Sequence, residues 1–468
     1  MARIAFVQTI WMEHLGVMYL SAVLKSKGHK TEVFIGTNIR HLVGDIKKYG
    51  PDIVGFSCTT GAHEIALKIA KEIKHCTSAI TIFGGPHPTF FPEFIEEEGV
   101  DVICIGEGEG ALADLADAVD KKTEIGNIPN LWIKQGKQII KNNVRPLIDN
   151  LDSLPFPDRT IYYNKYPFLN LSQKVFIAGR GCPYKCTYCF NESLQELYSG
   201  KGKYVRFRSV ENILAEISKT LKNYNFKTVY MCDDTFILNK IWLFEFLEKY
   251  KTKIKLPFFC LVRADLISED IVEKLKSANC CTVFFGVESG DENIRNLVLG
   301  KRITDLQIIE AAKLLKRHKM NFRTYNMLGL PGETLKEAFK TIELNIKIKT
   351  DYPWCSILQP YPKTTIRRFA EERGMLKGSV ISKYFFKSSV INIPQIKQLS
   401  NLQKLFYWTV KAPSIKPIVR ILIKLPSNPV FDLLFLLGYA YSYYKSECLS
   451  FLEFLQIGRR NIFSFLSS

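Results

Sequence analysis

Nowhere among the 468 residues does an uninterrupted apolar run approach the roughly 18 that a spanning helix needs, which argues against a membrane-crossing segment. The start, MARIAFVQTIWMEHLG, has neither the basic n-region nor the apolar h-region of a signal peptide, so a cytoplasmic location is expected. Without a secretion signal, the twelve cysteines do not read as a disulfide framework; they read as reduced thiols or metal ligands. Six of them, Cys58, Cys104, Cys232, Cys260, Cys280 and Cys281, sit in or beside apolar, β-branched runs, where cysteine behaves as a small hydrophobe. Acidic residues are in short supply, 46 against 64 Lys+Arg, for a formal net charge of +18. The deficit deepens after Met375, where 12 Lys/Arg face only Asp432, Glu447 and Glu453. Such a surplus suits an anionic partner (nucleic acid, a lipid surface, a phosphorylated substrate) or simply keeps the protein in solution.

What is present describes a globular protein: 47% hydrophobic and 24% charged residues, in a chain long enough for two domains and an extension. Short β-branched runs at RIAFVQT, TEVFIG, DIVGFSC, AITIFGG and DVICIG alternate with helical stretches such as LGVMYLSAVLKSKGH and HEIALKIAKEIKH. This alternation predicts right-handed βαβ units and a doubly wound parallel sheet, whose ligand belongs beyond the carboxyl ends of the strands. Those ends carry Thr9, Thr60, Gly84, Gly85, His87, Gly106, Glu107 and Gly108, and their glycines allow close backbone approach to a bulky ligand. LWIKQGKQIIKNN reads as a hairpin turning at Gln135-Gly136, and NLDSLPFPDRT as a proline-bearing linker. A second alternation follows, with strands at KVFIAG, TVYMCD, FFCLVR, CTVFFGV, NFRTYNML and WCSILQ. Six βα units fall short of the eight of a closed barrel, so a partial barrel is predicted. Ser209 and Ser268 occupy helix N-cap positions. The tail is helical, aromatic and basic, and is broken by Pro426 and Pro429; it suits a packed cap better than a membrane-surface helix.

One cluster of cysteines stands apart. IAGRGCPYKCTYCFNES places Cys182, Cys186 and Cys189 at C-x3-C-x2-C spacing directly after a strand. Soft thiolates select iron–sulfur or zinc, but structural zinc takes four ligands, and no further CxxC pair or nearby histidine supplies a fourth. Three cysteines suit a cubane cluster with one iron left open for a ligand. Tyr188 and Phe190 would shield such a cluster and tune its potential.

The cysteine loop, together with FGGPHPTFFPE, GEGEGAL, NLDSLPFPDR, CDDTF, GVESGDENIRNLVLGKR, NMLGLPGET and PYPKTTI in order, resembles the radical SAM proteins that carry a cobalamin-binding domain. That group contains the anaerobic magnesium-protoporphyrin ester cyclases and the radical P- and C-methyltransferases. The resemblance covers roughly 1–375 and implies an α/β chain. Its parts are a Rossmann-like cobalamin-binding domain (1–143), a linker (144–170), a radical SAM partial (β/α)6 TIM barrel (171–375) and an α-helical C-terminal extension (376–468). It also implies a 4Fe-4S cluster on the three cysteines and S-adenosylmethionine on the open iron. Contacts to that molecule are implied for Glu288 and Ser289, and for 326–333, which includes Asn326, Gly329 and Glu333. Arg263 and Arg323 fall on the carboxylate or substrate side, since a guanidinium pairs bidentately with carboxylate. Asp233, with Asp234, either joins the cofactor site or caps a helix.

For the first domain the resemblance implies cobalamin, with Glu107 and His87 near its amide periphery. The Asp-x-His-x-x-Gly segment that would supply a lower axial histidine is missing, and His14 stands in a different context. The implied activity is methyl transfer to an unactivated position of a small-molecule or lipid-like substrate. A flavodoxin or ferredoxin is implied as electron donor, no nucleic acid is expected, and the tail offers peripheral membrane contact. The alternatives are a cyclase or oxidative radical enzyme without methyl transfer, and a non-catalytic corrinoid-binding sensor. A methylthiotransferase is disfavoured, because Cys58, Cys76 and Cys104 lack the spacing of a second cluster site.

Overall fold

A computed structural model describes residues 1–378, 389–456 and 458; of the tail, 379–388, 457 and 459–468 lie outside the described residues. The described residues divide into two compact units: Met1–Leu171 with Leu194–Tyr204 and those from Leu455 on, and Ser172–Ser193 with those between Val205 and Phe454.

The first unit is built on a seven-stranded sheet. Its strands are β1 (Arg3–Gln8), β2 (Lys30–Ile35), β3 (Ile53–Ser57), β4 (Ile80–Gly84), β5 (Val102–Cys104), β6 (Leu131–Gln135) and β7 (Gln138–Lys141), in the order β2-β1-β3-β4-β5-β6-β7. The five parallel strands are those expected. Their order reverses between β1 and β3, and that reversal is what opens a ligand crevice in a doubly wound sheet. The hairpin β6–β7 pairs antiparallel with β5 and extends the sheet. Helix Leu15–Ser26 ends at Gly28, whose φ of +87° is the left-handed geometry of a helix stop.

The stretch 144–170, proline-bearing and linker-like in composition, is tied into this unit instead of running free. Asp158 accepts from Ser21 Oγ at 2.6 Å and pairs with Lys25 Nζ at 2.6 Å. Tyr166 Oη accepts from the Ile35 amide at 3.0 Å, and Tyr162 bonds to Gln8. Composition marks prolines as breakers, but these tyrosine and aspartate contacts are non-local.

The second unit has six parallel strands: β8 (Gln173–Phe176), then, after a short antiparallel pair β9 (Gly179–Arg180) and β10 (Arg206–Phe207), β11 (Thr228–Met231), β12 (Phe258–Val262), β13 (Cys280–Glu288), β14 (Asn321–Leu328) and β15 (Tyr352–Ile357). The six run in sequence order from β8 to β15 and do not close on themselves, which is the partial barrel. Outward residues such as Val229, Cys260, Val283 and Phe322 pack under the surrounding helices in one apolar core. Ser209 caps its helix through the Asn212 amide, whereas Ser268, at an N-cap position, turns its hydroxyl to Asp270 instead.

The described part of the tail packs on this barrel. Helix Ile396–Lys411 lies on β15, where Gln403 donates to the Cys355 carbonyl at 3.0 Å, and Trp408 donates to Leu434 of helix Pro429–Ser446 at 2.8 Å. Beyond that helix, Glu453 accepts from the Ser172 amide at 2.6 Å beside β8, so the tail reaches both edge strands of the open barrel.

Candidate active site

The cysteine loop leaves the carboxyl end of β8 and is braced by groups from three other segments. Asp233, at the end of β11, is buried and accepts from the amides of Ala178 and Gly179 at 3.1 and 2.5 Å. It therefore holds the entry to the loop and does not cap a helix. Burial pushes its carboxyl up to about 7. Thr187 donates to the carbonyls of Leu299 and Val298 at 3.0 and 2.8 Å, and its own carbonyl accepts from Ile366 at 2.9 Å. Phe190 lies 5.6 Å, ring to ring, from Tyr361. The GVESGDENIRNLVLGKR and PYPKTTI segments thus clamp the loop from two sides.

Each sulfur has a distinct neighbour. Cys182 Sγ is 3.9 Å from Thr235 Oγ1, Cys186 Sγ 3.9 Å from Arg263 Nη1, and Cys189 Sγ accepts from Asn191 Nδ2 at 3.4 Å. All twelve cysteines are free thiols. Among the described residues the three loop cysteines are not gathered within 4.8 Å of one another, whereas Glu269, Glu273 and His318 are. Three thiols on one short loop suit a cubane with one iron left open.

Beside the loop lies a buried ion pair. Glu288, the last residue of β13, sits in the left-handed region at φ +64°, which an ordinary residue adopts at a cost. Its Oε1 accepts from Lys301 Nζ at 2.8 Å and from the Tyr188 hydroxyl at 3.1 Å. Burial and the Glu288 charge keep that phenol protonated. Gly286 makes the arrangement possible: a Cβ there would fall 1.8 Å from Glu288 Oε1 and 2.6 Å from Lys301 Nζ. Ser289 is fully buried, its Oγ accepting from the Asp291 amide at 3.2 Å, so it shapes the turn. Arg295, also fully buried, closes the same turn by donating to the carbonyls of Ser289 and Ile303 at 2.8 and 2.7 Å. Neither Lys301 nor Arg295 was singled out by sequence, although both lie within GVESGDENIRNLVLGKR.

Several expected contact residues are engaged elsewhere. Arg263 stays near the cysteines, but its fork is taken by Asp265, Nε and Nη2 lying 3.1 and 3.2 Å from the two carboxylate oxygens. Arg323 lies near the amino end of β14, not at the carboxyl edge, and its Nη1 is 3.3 Å from Glu447 of the tail. Asn326 points away from the barrel interior, donating to the Trp354 carbonyl at 2.8 Å and accepting from Asn345 Nδ2 at 2.7 Å. Glu333 braces the turn before it, Oε2 accepting from the amides of Gly329 and Leu330 at 2.6 and 3.2 Å. Its other oxygen is buried without a hydrogen-bond partner, and burial pushes the carboxyl up to about 8. Alternation along a strand decides these outcomes, since neighbouring residues face opposite sides.

At the carboxyl edge of the first unit's sheet, His87 is buried and stacked on His63 at 3.8 Å, with Nδ1 3.2 Å from Thr60 Oγ1. Burial pushes His87 down to about 3, so it stays neutral. Gly85 (φ +93°) packs on the Cys58 backbone, while Gly84 and Gly108 have ordinary room. Gly106 was read as admitting a ligand; instead it admits Tyr198, whose Oη would lie 1.9 Å from an added Cβ. The Glu107 amide donates to that Tyr198 oxygen at 2.7 Å, and its carboxylate accepts from the Ile148 amide at 3.1 Å, so Glu107 organises the turn. Nearer the strand-order reversal, Ile10 and Met12 stand 39% and 54% exposed beyond β1. An apolar edge there suits a broad macrocycle such as a corrinoid. His14 buries its Nε2 with no hydrogen-bond partner, and burial lowers its pKa.

The sequence matches the radical SAM superfamily model over residues 176–344 and the B12 binding domain model over 11–116. It is 31% identical to an uncharacterized methyltransferase of Pyrococcus horikoshii, covering 84% of this chain and 86% of that one. It is 28% identical to 4'-phospho-dehydrooxetanocin synthase of Priestia megaterium, spanning 69% of this chain but 47% of that longer protein. Among solved structures, the cobalamin-dependent radical enzyme OxsB superposes with a TM-score of 0.70 at 20% identity, covering 100% of this chain and 75% of that one. The methyltransferase TsrM of Kitasatospora setae does so with 0.69 at 15%, covering 89% and 90%. At these identities the superpositions speak for the fold.

Proposed function

This chain belongs to the radical SAM superfamily, in the branch carrying an N-terminal B12-binding domain, and from that membership we propose that it transfers a methyl group to an unactivated carbon or phosphorus of a small-molecule or lipid-like substrate. The observation that carries the proposal is that one chain holds both a braced three-cysteine loop and a doubly wound B12-type sheet. The family's cofactors are a 4Fe-4S cluster, S-adenosylmethionine and cobalamin. When bound, the cluster supplies the electron that opens a sulfonium C–S bond, and the corrinoid supplies a methyl carrier.

The chain's own residues do the positioning. Cys182, Cys186 and Cys189 would hold the cluster, and Asp233 and Thr187 fix the loop that presents them. Lys301 and Tyr188 hold the Glu288 carboxylate in place at the end of β13, where it can accept hydrogen bonds from hydroxyl or ammonium groups. Phe190, Tyr361 and the aromatic lining of the barrel keep water from the reacting centre. A flavodoxin or ferredoxin as electron donor, and tail contact with a membrane that delivers a lipid-like substrate, belong to the same reading.

A second reading, cyclisation without methyl transfer, is favoured by 25% identity to the anaerobic magnesium-protoporphyrin IX monomethyl ester cyclase of Synechocystis over 57% of this chain. Anaerobic reconstitution with methyl-labelled S-adenosylmethionine separates the two. Methyl transfer predicts both 5′-deoxyadenosine and S-adenosylhomocysteine by mass spectrometry, with a bound corrinoid spectrum. Deoxyadenosine alone would move the assignment to cyclisation.

A further inference from the structure

Helix Pro429–Ser446 is apolar on both sides. One side packs into the barrel and its neighbouring helix through Phe431, Gly438 and Ser442, all buried. A separate stripe, where a surface helix carries its charges, instead presents Val430, Leu433, Leu437 and Tyr441, each between 50% and 61% exposed. The helix has two charged residues in all, Asp432 and Lys445, and Asp432 is paired with Lys404 at 2.8 Å. A helix that is hydrophobic all round ordinarily has a neighbour on both sides, and soluble monomers seldom leave such a face to water.

The preceding helix, Lys416–Leu422, repeats the pattern in shorter form. Val419 and Ile423 are buried against the same core, while Ile418, Ile421 and Leu425 are 57%, 67% and 48% exposed. Here the exposed apolar residues alternate with Arg420 and Lys424, both exposed, and no acidic residue occurs between 412 and 428. No helix among the described residues is long and apolar enough to cross a membrane.

We propose that these two helix faces form a docking surface for the headgroup region of an anionic lipid bilayer, on which the enzyme rests without spanning it. Leucine, isoleucine and tyrosine side chains enter the acyl boundary, while Lys424 meets lipid phosphates; Arg420, whose guanidinium lies 4.1 Å over the Phe339 ring, adds its charge from behind. The alternative occupant, a second copy of this chain, is disfavoured by charge: an isologous contact brings the acid-free 412–428 segments together, cation against cation. The inference deepens the tail–membrane contact of the proposed function and rests on that reading, while its test reads surface binding and not methyl transfer.

The test is flotation of the full chain, without S-adenosylmethionine, on vesicles of phosphatidylcholine with or without about one third phosphatidylserine. The wild type is expected to float with anionic vesicles, and less so in high salt. Leu433→Glu with Leu437→Glu abolishes flotation while leaving the thermal transition and deoxyadenosine release unchanged, and Lys424→Glu removes the preference for anionic over neutral vesicles. Absence of wild-type flotation, or a dimer by light scattering that the two leucine substitutions dissolve, overturns the proposal. Loss of methyl transfer with flotation retained bears only on the catalytic reading.

Discussion

Lys301 Nζ lies 2.8 Å from Glu288 Oε1, with both side chains buried at the end of β13. This pair, which also gathers the Tyr188 hydroxyl, links the cysteine loop to the strand that carries GVES. Two segments brought together by one carboxylate should respond together when either charge is removed.

Replacing Lys301 with methionine strands a buried carboxylate. The cluster-free protein should lose about 3 kcal/mol in urea unfolding, since breaking one side of a buried pair costs more than removing both. Adding Glu288→Gln should recover most of that loss. If single and double variants unfold alike, the two groups are not coupled.

Gly286→Ala drives a methyl group into the same pair, 1.8 Å from Glu288 Oε1. The expected result is a folded protein that assembles iron normally but releases deoxyadenosine at least roughly tenfold more slowly, a loss of about 1.4 kcal/mol of transition-state stabilisation. Turnover at the wild-type rate would show that Glu288 does not work in that position.

Asp233→Ala removes the acceptor of two buried amides at the mouth of the cysteine loop. Iron and sulfide content after anaerobic reconstitution should fall well below the wild type, with Asp233→Asn intermediate because an amide oxygen still accepts. Normal iron in the alanine variant would assign the bracing to the other clamps.

Glu333 predicts a pH dependence. Burial raises its folded-state pKa from 4.5 to about 8. Between these values the unfolded chain releases a proton that the folded chain keeps, so stability declines as pH rises through that window and levels off above it. Glu333→Gln copies the neutral form and should flatten the slope, with its largest relative gain above pH 8. The check is urea unfolding of wild type and variant at pH 5, 7 and 8.5; parallel curves would mean that the carboxyl is already ionised in the folded state.

Glu447→Gln tests the tail's hold on the barrel. Arg323 keeps Nε and Nη2 buried without hydrogen-bond partners, and Nη1 depends on Glu447. Losing that charge should destabilise the second unit by about 2 kcal/mol or more and speed proteolysis of the tail.

The strands of both sheets were legible because β-branched runs and intervening helical periods are local signals. The cysteine loop was legible for the same reason: three ligands within eight residues need no partner from elsewhere. Gly106 shows the opposite case. Its positive φ is the kind of geometry a glycine foretells, yet what approaches it is Tyr198, nearly a hundred residues away and outside any motif. Asn326 was placed by motif membership and Arg323 by its strand and its guanidinium, and strand facing and strand height decided otherwise. The contacts that tie 144–170 to the first unit were not legible, because prolines speak for local breaks and say nothing about long-range hydrogen bonds.

Taken alone, the amino-acid order determined which elements form, in what succession, and which three thiols share a loop, since each depends on residues within one turn or one strand of each other. Only the folded chain decided which acids face the site and which brace it, that Lys301 answers Glu288, and that helix Pro429–Ser446 has an exposed apolar face among the described residues. Those relations join residues far apart along the chain, where neither periodicity nor composition reaches.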